Sequence, residues 1–310
     1  MEKIGMRDAF GAALVELGKT NDKLMVLDAD VSSSTRSGLF GKAYPDRFFN
    51  VGVAEANMVD IAAGMATCGY RPVVSAFAIF LALKATDQIR NVVCYNKLNV
   101  IIAGGYSGLS DSFDGASHQS ITDIAIMRAF PNLTVLAPAH ADDVTAALEQ
   151  ALEIEGPVYI RMCRNPSPVL VGKKALTIGK AEILNEGSDI TIGACGITVP
   201  IAMEACEELA SKGIKAQILD LSSIKPIDKK TITEAAEKTG CFLTVEEHSI
   251  HGGLGSAVSE VLVRSKPVPM DFVGIEDCFT ESGPYEELME KYGLSTKAVV
   301  AKAEALVKLK

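Results

Sequence analysis

Val51-Gly52-Val53-Ala54-Glu55-Ala56-Asn57 opens residues 58–68, a run whose only charge is Asp60, and the β-branched stretch Val73-Val74-Ser75-Ala76-Phe77 follows closely. A small-residue apolar run of helical length leading into a short strand is the repeating unit of a sheet covered by helices. Glu55 stands alone at the mouth of that helix. A carboxyl desolvated in such surroundings becomes a proton donor near neutral pH. The same residue in a first helical turn also suits the helix macrodipole, and on the residue alone this reading is the better supported.

Working outward, β-branched runs alternate with longer helical patterns. Strands are predicted at 24–27, 73–77, 100–103, 134–136 and 158–161, with helices over 8–17, 56–67, 81–95, 121–129 and 141–154. This alternation implies a parallel sheet covered on both faces. Cys163-Arg164-Asn165-Pro166-Ser167-Pro168 interrupts it, because two prolines in three residues continue neither a ladder nor a helix. The first domain is therefore set at 1–166 and a linker at 167–177. The pattern restarts in a second domain, 178–310, with strands at 190–194, 217–221, 242–245 and 272–275. Its helices are expected over 200–212, 229–238 and 255–263, with 285–291 and 296–308 closing the chain. The fold class is α/β, two three-layer α/β/α domains.

The 310 residues, 48% hydrophobic and 22% charged, are enough for a sizeable core in each domain. A formal net charge of -9 with no basic run argues against nucleic acid as a partner. Met1-Glu2-Lys3-Ile4-Gly5-Met6-Arg7-Asp8 has neither the apolar core nor the cleavage site of a signal peptide, and no membrane-length apolar run occurs, so a cytoplasmic protein without a membrane partner is expected. Seven scattered cysteines without a Cys-x-x-Cys pair read as reduced core thiols, with no metal site. His248 and His251 beside Glu246 lack further ligands at helical spacing and precede a glycine-rich turn, which favours a structural role.

Several segments resemble thiamine diphosphate enzymes, transketolase in particular. Ser75-Ala76-Phe77-Ala78-Ile79-Phe80 followed by Thr86-Asp87-Gln88-Ile89-Arg90 is similar to the pyrimidine-binding domain. Asp114-Gly115-Ala116-Ser117-His118-Gln119 resembles the family's Asp-Gly-x-Ser/Thr-His-Gln loop. The opening from Arg7-Asp8 through Asp28-Ala29-Asp30 and Ser32-Ser33-Ser34 matches in relative position. Glu246-Glu247-His248 with Gly252-Gly253-Leu254-Gly255 resembles the carboxy-terminal domain, for which a mixed sheet is expected. Full-length transketolases begin with a further domain that holds the diphosphate through Mg²⁺, using a Gly-Asp-Gly segment and an Asn. No such pattern occurs here: Gly104-Gly105-Tyr106-Ser107-Gly108 lacks the acids, and Gly193-Ala194-Cys195-Gly196 is a weak phosphate-loop match. The resemblance implies the carboxy-terminal subunit of a split transketolase. It would work with an amino-terminal subunit that holds most of the Mg²⁺ contacts, in an assembly of two chains of each kind.

The resemblance also implies roles. Glu55 would hydrogen-bond the cofactor's aminopyrimidine, and Phe77 and Phe80 would pack around that ring, although their three-residue spacing alone reads as ordinary core. Leu83 takes the place of a third aromatic, and Asp30, otherwise a turn residue, would lie near the cofactor. Arg7, Ser34 and Arg164 would clamp a sugar phosphate, a task suited to the planar guanidinium fork. Asp114 and His118 would contact its hydroxyls, with His118 assisting proton transfer. Tyr106 replaces a histidine near the phosphate. The β subunit of a 2-oxoacid dehydrogenase shares this plan and stays an alternative, as does a non-catalytic regulatory subunit. Deoxyxylulose phosphate synthase shares the motifs but carries its own diphosphate-binding domain.

Overall fold

The computed structural model describes residues 3–170 and 172–310. A seven-stranded sheet forms the first half. Its order is Ser223–Lys225, Thr134–Leu136, Val158–Arg161, Ile101–Gly105, Arg71–Phe77, Leu24–Asp28 and Phe48–Asn50. All neighbours run parallel except the first pair. Ile101–Gly105 is buried along its whole length, because a central parallel strand with helices on both faces meets no water. The second half is a mixed sheet of five strands: Met270–Ile275, Phe242–Ser249, Ile190–Ala194, Ala216–Asp220 and the antiparallel edge Glu182–Asn185.

Helices pack where the apolar periodicity placed them. Met6–Thr20 buries Met6, Phe10 and Leu14 on one stripe, and Ala141–Glu153 buries Val144, Ala147, Leu148 and Ala151. Fully burying each large side chain contributes about 1.5–3 kcal/mol. Glu55–Thr67 seats Met58, Val59, Ala62 and Ala63 against the sheet. The same core continues through Leu219, Phe242 and Leu262, so it crosses both halves of the chain.

Three local expectations are corrected. Pro166–Pro168 does pair, as a short antiparallel ribbon with Lys3–Gly5 in which Ile4 faces Ser167. Prolines at alternate positions turn their missing donors outward and leave Ser167 to face the partner. The single helix expected over 81–95 is two: Ala78–Lys84, then the π-helical turn Gln88–Cys94. Between them the Thr86 hydroxyl donates to the Ala82 carbonyl, a side-chain bond that competes with the helical ladder. The edge strand Ser223–Lys225 was not foreseen. It carries a segment of the second half into the first sheet, beside Thr134–Leu136, and Ala137 N–H donates to Ser222 O at 2.8 Å.

Five of the seven cysteines are buried and all are free. Among the described residues no helix is long and apolar enough to cross a membrane. Nor, among them, do three or more His, Cys, Asp or Glu side chains group to hold a metal ion.

Candidate cofactor and substrate site

In a parallel sheet the carboxyl ends of the strands open onto a crevice, and the loops that leave them carry the functional side chains. Five adjacent strands deliver the candidate residues there. Asp30 follows Leu24–Asp28, and Glu55 opens the helix that follows Phe48–Asn50. Phe77 ends Arg71–Phe77, Tyr106 follows Ile101–Gly105, and Arg164 follows Val158–Arg161. The ribbon of Lys3–Gly5 with Pro166–Pro168 then brings Arg7 to the same edge, at the start of the first helix.

Glu55 is 4% exposed, as its apolar setting predicted. Its carboxylate is nonetheless partnered: Lys84 Nζ donates to Oε1 at 3.2 Å and lies 3.4 Å from Oε2. The same ammonium sits 4.0 Å from the centre of the Phe80 ring. Phe77, Phe80 and Tyr106 form a shelf beside it. Phe77 stacks on Tyr106 with centroids 4.3 Å apart and on Phe80 at 5.8 Å. His118 meets the edge of that shelf, 5.1 Å from Phe80, and its Nδ1 shares a hydrogen bond of 2.9 Å with Ser117 Oγ. An acid and a flat aromatic surface suit an aminopyrimidine, provided that Lys84, half-exposed on a flexible stem, withdraws.

The second group is cationic. Arg7 Nη1 donates to the Tyr106 hydroxyl at 2.9 Å and to the Ser34 carbonyl at 3.3 Å. Arg164 lies over the same tyrosine ring, its guanidinium carbon 5.4 Å from the centroid. Tyr106 thus spaces two guanidiniums, on a backbone in the left-handed region at φ 57°. Ser34 takes part through its carbonyl. Asp114 is exposed on the loop. Asp30 is exposed, with φ 66° and a bond from Asn50 Nδ2 at 2.8 Å. Leu83 is not part of the shelf: 55% exposed, it lines a groove of about 460 Å³ with Ile79 and Phe279.

Three residues at the site escaped the sequence reading. Lys84 lies one helical turn beyond Phe80, a spacing that places the two side chains together. Asp111 is buried in the loop between Tyr106 and Asp114. Glu247 belongs to the second half yet accepts from Leu109 N–H and the Tyr285 hydroxyl, both at 2.9 Å, and so holds the same loop. Burial pushes its carboxyl up to about 7, against the opposing pull of Arg161 and of those two bonds. Its neighbour Glu246 accepts from Leu254 and Gly255 N–H at 2.6 and 2.8 Å, capping the helix Leu254–Leu262.

Residues 2–168 match the sequence model of the transketolase pyrimidine-binding domain, and residues 179–299 that of the transketolase C-terminal domain. The chain belongs to the transketolase family. A protein of Methanocaldococcus jannaschii described as a transketolase C-terminal section is 44% identical over 299 residues, covering 95% of this chain and 94% of its own. A subunit of 6-deoxy-6-sulfo-D-fructose transketolase from a Clostridium species is 39% identical over 311 residues, covering 100% and 97%. Among solved structures, a split-gene transketolase in an inactive beta4 tetramer superposes with a TM-score of 0.92 at 47% identity, over 99% of both chains. These transketolase relatives match this chain over nearly their full length.

Proposed function

We propose that this chain is the carboxy-terminal subunit of a split transketolase and catalyses reversible transfer of a two-carbon ketol unit from a ketose phosphate to an aldose phosphate. The observation that carries this reading is the convergence of Glu55, the aromatic shelf and the Arg7–Tyr106–Arg164 group at one sheet edge. Relatives of the same length described as a section and as a subunit support it. The division at 1–166 and 178–310 follows the same plan. The diphosphate and its Mg²⁺ fall mainly to an amino-terminal partner subunit, in a cytoplasmic assembly of two chains of each kind.

Thiamine diphosphate, when bound, supplies the carbanion chemistry of ketol transfer. Glu55 would hold the aminopyrimidine nitrogen and exchange a proton with it, while Phe77 and Phe80 present their faces to the ring. Lys84 would have to release Glu55 for it to hold that nitrogen. Arg7 and Arg164 bind the terminal anion of the sugar, and Asp114 and His118 orient its hydroxyls. A relative's name gives it a sulfonated sugar, and a sulfonate is a terminal anion that the same two guanidiniums can bind.

The test is a pull-down of the chain from its own cell extract, with the co-purifying protein sequenced. A partner carrying the Gly-Asp-Gly and Asn diphosphate pattern supports the reading. A lipoyl acyltransferase points instead to a 2-oxoacid dehydrogenase, and no partner removes the split-enzyme reading.

A further inference from the structure

The Lys84 ammonium engages both surfaces on which the site would receive an aromatic ring. It donates to Glu55 Oε1 at 3.2 Å, lies 3.4 Å from Oε2, and stands 4.0 Å from the centre of the Phe80 ring. The two ends of this contact differ in freedom. The Glu55 side chain is 5% exposed in the first turn of the helix Glu55–Thr67, whereas that of Lys84 is 48% exposed at the last residue of the helix Ala78–Lys84. A carboxylate buried without a partner is costly, because it has given up water, so the chain by itself needs a donor at Glu55. Lys84 supplies that donor, and the negative face of the Phe80 ring steadies its charge. Its stem is long and flexible and borders solvent, so the ammonium can swing away and be hydrated.

We propose that Lys84 is a built-in competitor of the cofactor: it holds Glu55 and covers Phe80 in the chain by itself, and it must be displaced before an aminopyrimidine can use either. This deepens the transketolase reading and rests on it for the identity of the ring. An ammonium and a flat ring cannot share one carboxylate and one ring face. Affinity for the cofactor is therefore scaled by the fraction of chains in which the lysine is turned away. With the diphosphate held mainly by the partner subunit, the chain by itself has only its ring contacts with which to displace Lys84. The assembled enzyme adds the diphosphate contacts, and cofactor loading is thereby tied to assembly.

The experiment has two arms. The first needs no cofactor: the full chain is acylated with limiting acetic anhydride, and peptide mass spectrometry compares Lys84 with the exposed Lys266 as an internal reference. The Lys84 rate relative to Lys266 should rise about fivefold in Glu55→Gln, which removes the charge that holds the ammonium. Equal ratios in wild type and Glu55→Gln overturn the closed contact. The second arm measures thiamine diphosphate binding by titration calorimetry in the complex reconstituted with the partner subunit. Lys84→Met, which keeps the stem without the ammonium, should bind about fivefold more tightly than wild type, and Lys84→Arg should stay near it. Equal or weaker binding by Lys84→Met overturns the competitor role, since the lysine is then idle or itself a ligand. If no form of the complex binds the cofactor, the transketolase reading falls and the competitor role with it, while the acylation arm still decides whether Lys84 holds Glu55.

Discussion

Glu55 combines burial with one flexible partner, and this makes its role separable from its contribution to folding. Glu55→Gln keeps the shape and removes the exchangeable carboxyl proton, so kcat in the reconstituted complex should fall by about a hundredfold or more while the chain stays folded. Turnover near the wild-type value would remove Glu55 from the mechanism. Arg164 sits on Tyr106, where its charge faces the crevice. Arg164→Ala should raise KM for a phosphorylated acceptor about tenfold more than for the free sugar, and equal effects would sink the phosphate clamp. Glu55, Phe77 and Phe80 were picked out through the resemblance of their segments to the transketolase family, since on the residues alone Glu55 reads as a first-turn acid and the two aromatics as core. Lys84 was not, since an ion pair across 29 residues follows from how the helix Ala78–Lys84 packs beside the helix Glu55–Thr67.

The loop between Tyr106 and Gln119 is held from the second half of the chain. Glu247 binds Leu109, the Thr280 hydroxyl donates to Gln119 Oε1, and a Cβ at Gly108 would collide with the Glu247 carboxyl. Folding raises the Glu247 carboxyl from its ordinary 4.5 to about 7, so the native state retains a proton that the unfolded chain releases. Stability therefore falls as pH climbs through that interval and is level above it. Glu247→Gln, neutral at every pH, should be about 3 kcal/mol more stable than the wild type at about pH 8 and little different at about pH 4. Urea midpoints at the two pH values test this, and a difference independent of pH would refute it. The loop's Asp-Gly-Ala-Ser-His-Gln stretch was readable as a motif, but its fastening was not, because Glu247 lies 138 residues from Leu109.

At the scale of the molecule, Lys173 ties the two halves of the chain together. The Lys173 side chain is 2% exposed and meets Asp143 at 2.8 Å, Asp220 at 3.0 Å and Glu182 at 3.7 Å, one acid from the first half and two from the second. Lys173→Met would strand these carboxylates, and a buried ion pair broken from one side costs about 3–5 kcal/mol. The urea midpoint should fall accordingly, and an unchanged midpoint would show that the acids find other partners. Periodicity alone determined the α/β class, the parallel first sheet and most helices, because alternating burial is written locally in side-chain polarity. The break at Pro166 and Pro168 was equally visible, yet their pairing with Lys3–Gly5 was not. Short edge strands such as that ribbon and Ser223–Lys225 bury too few side chains to leave a pattern, so only the tertiary structure decided them. It likewise decided that Arg7 and Arg164 share one tyrosine and that Lys84 holds Glu55. Such contacts depend on distances across the fold, which no local run of residues encodes.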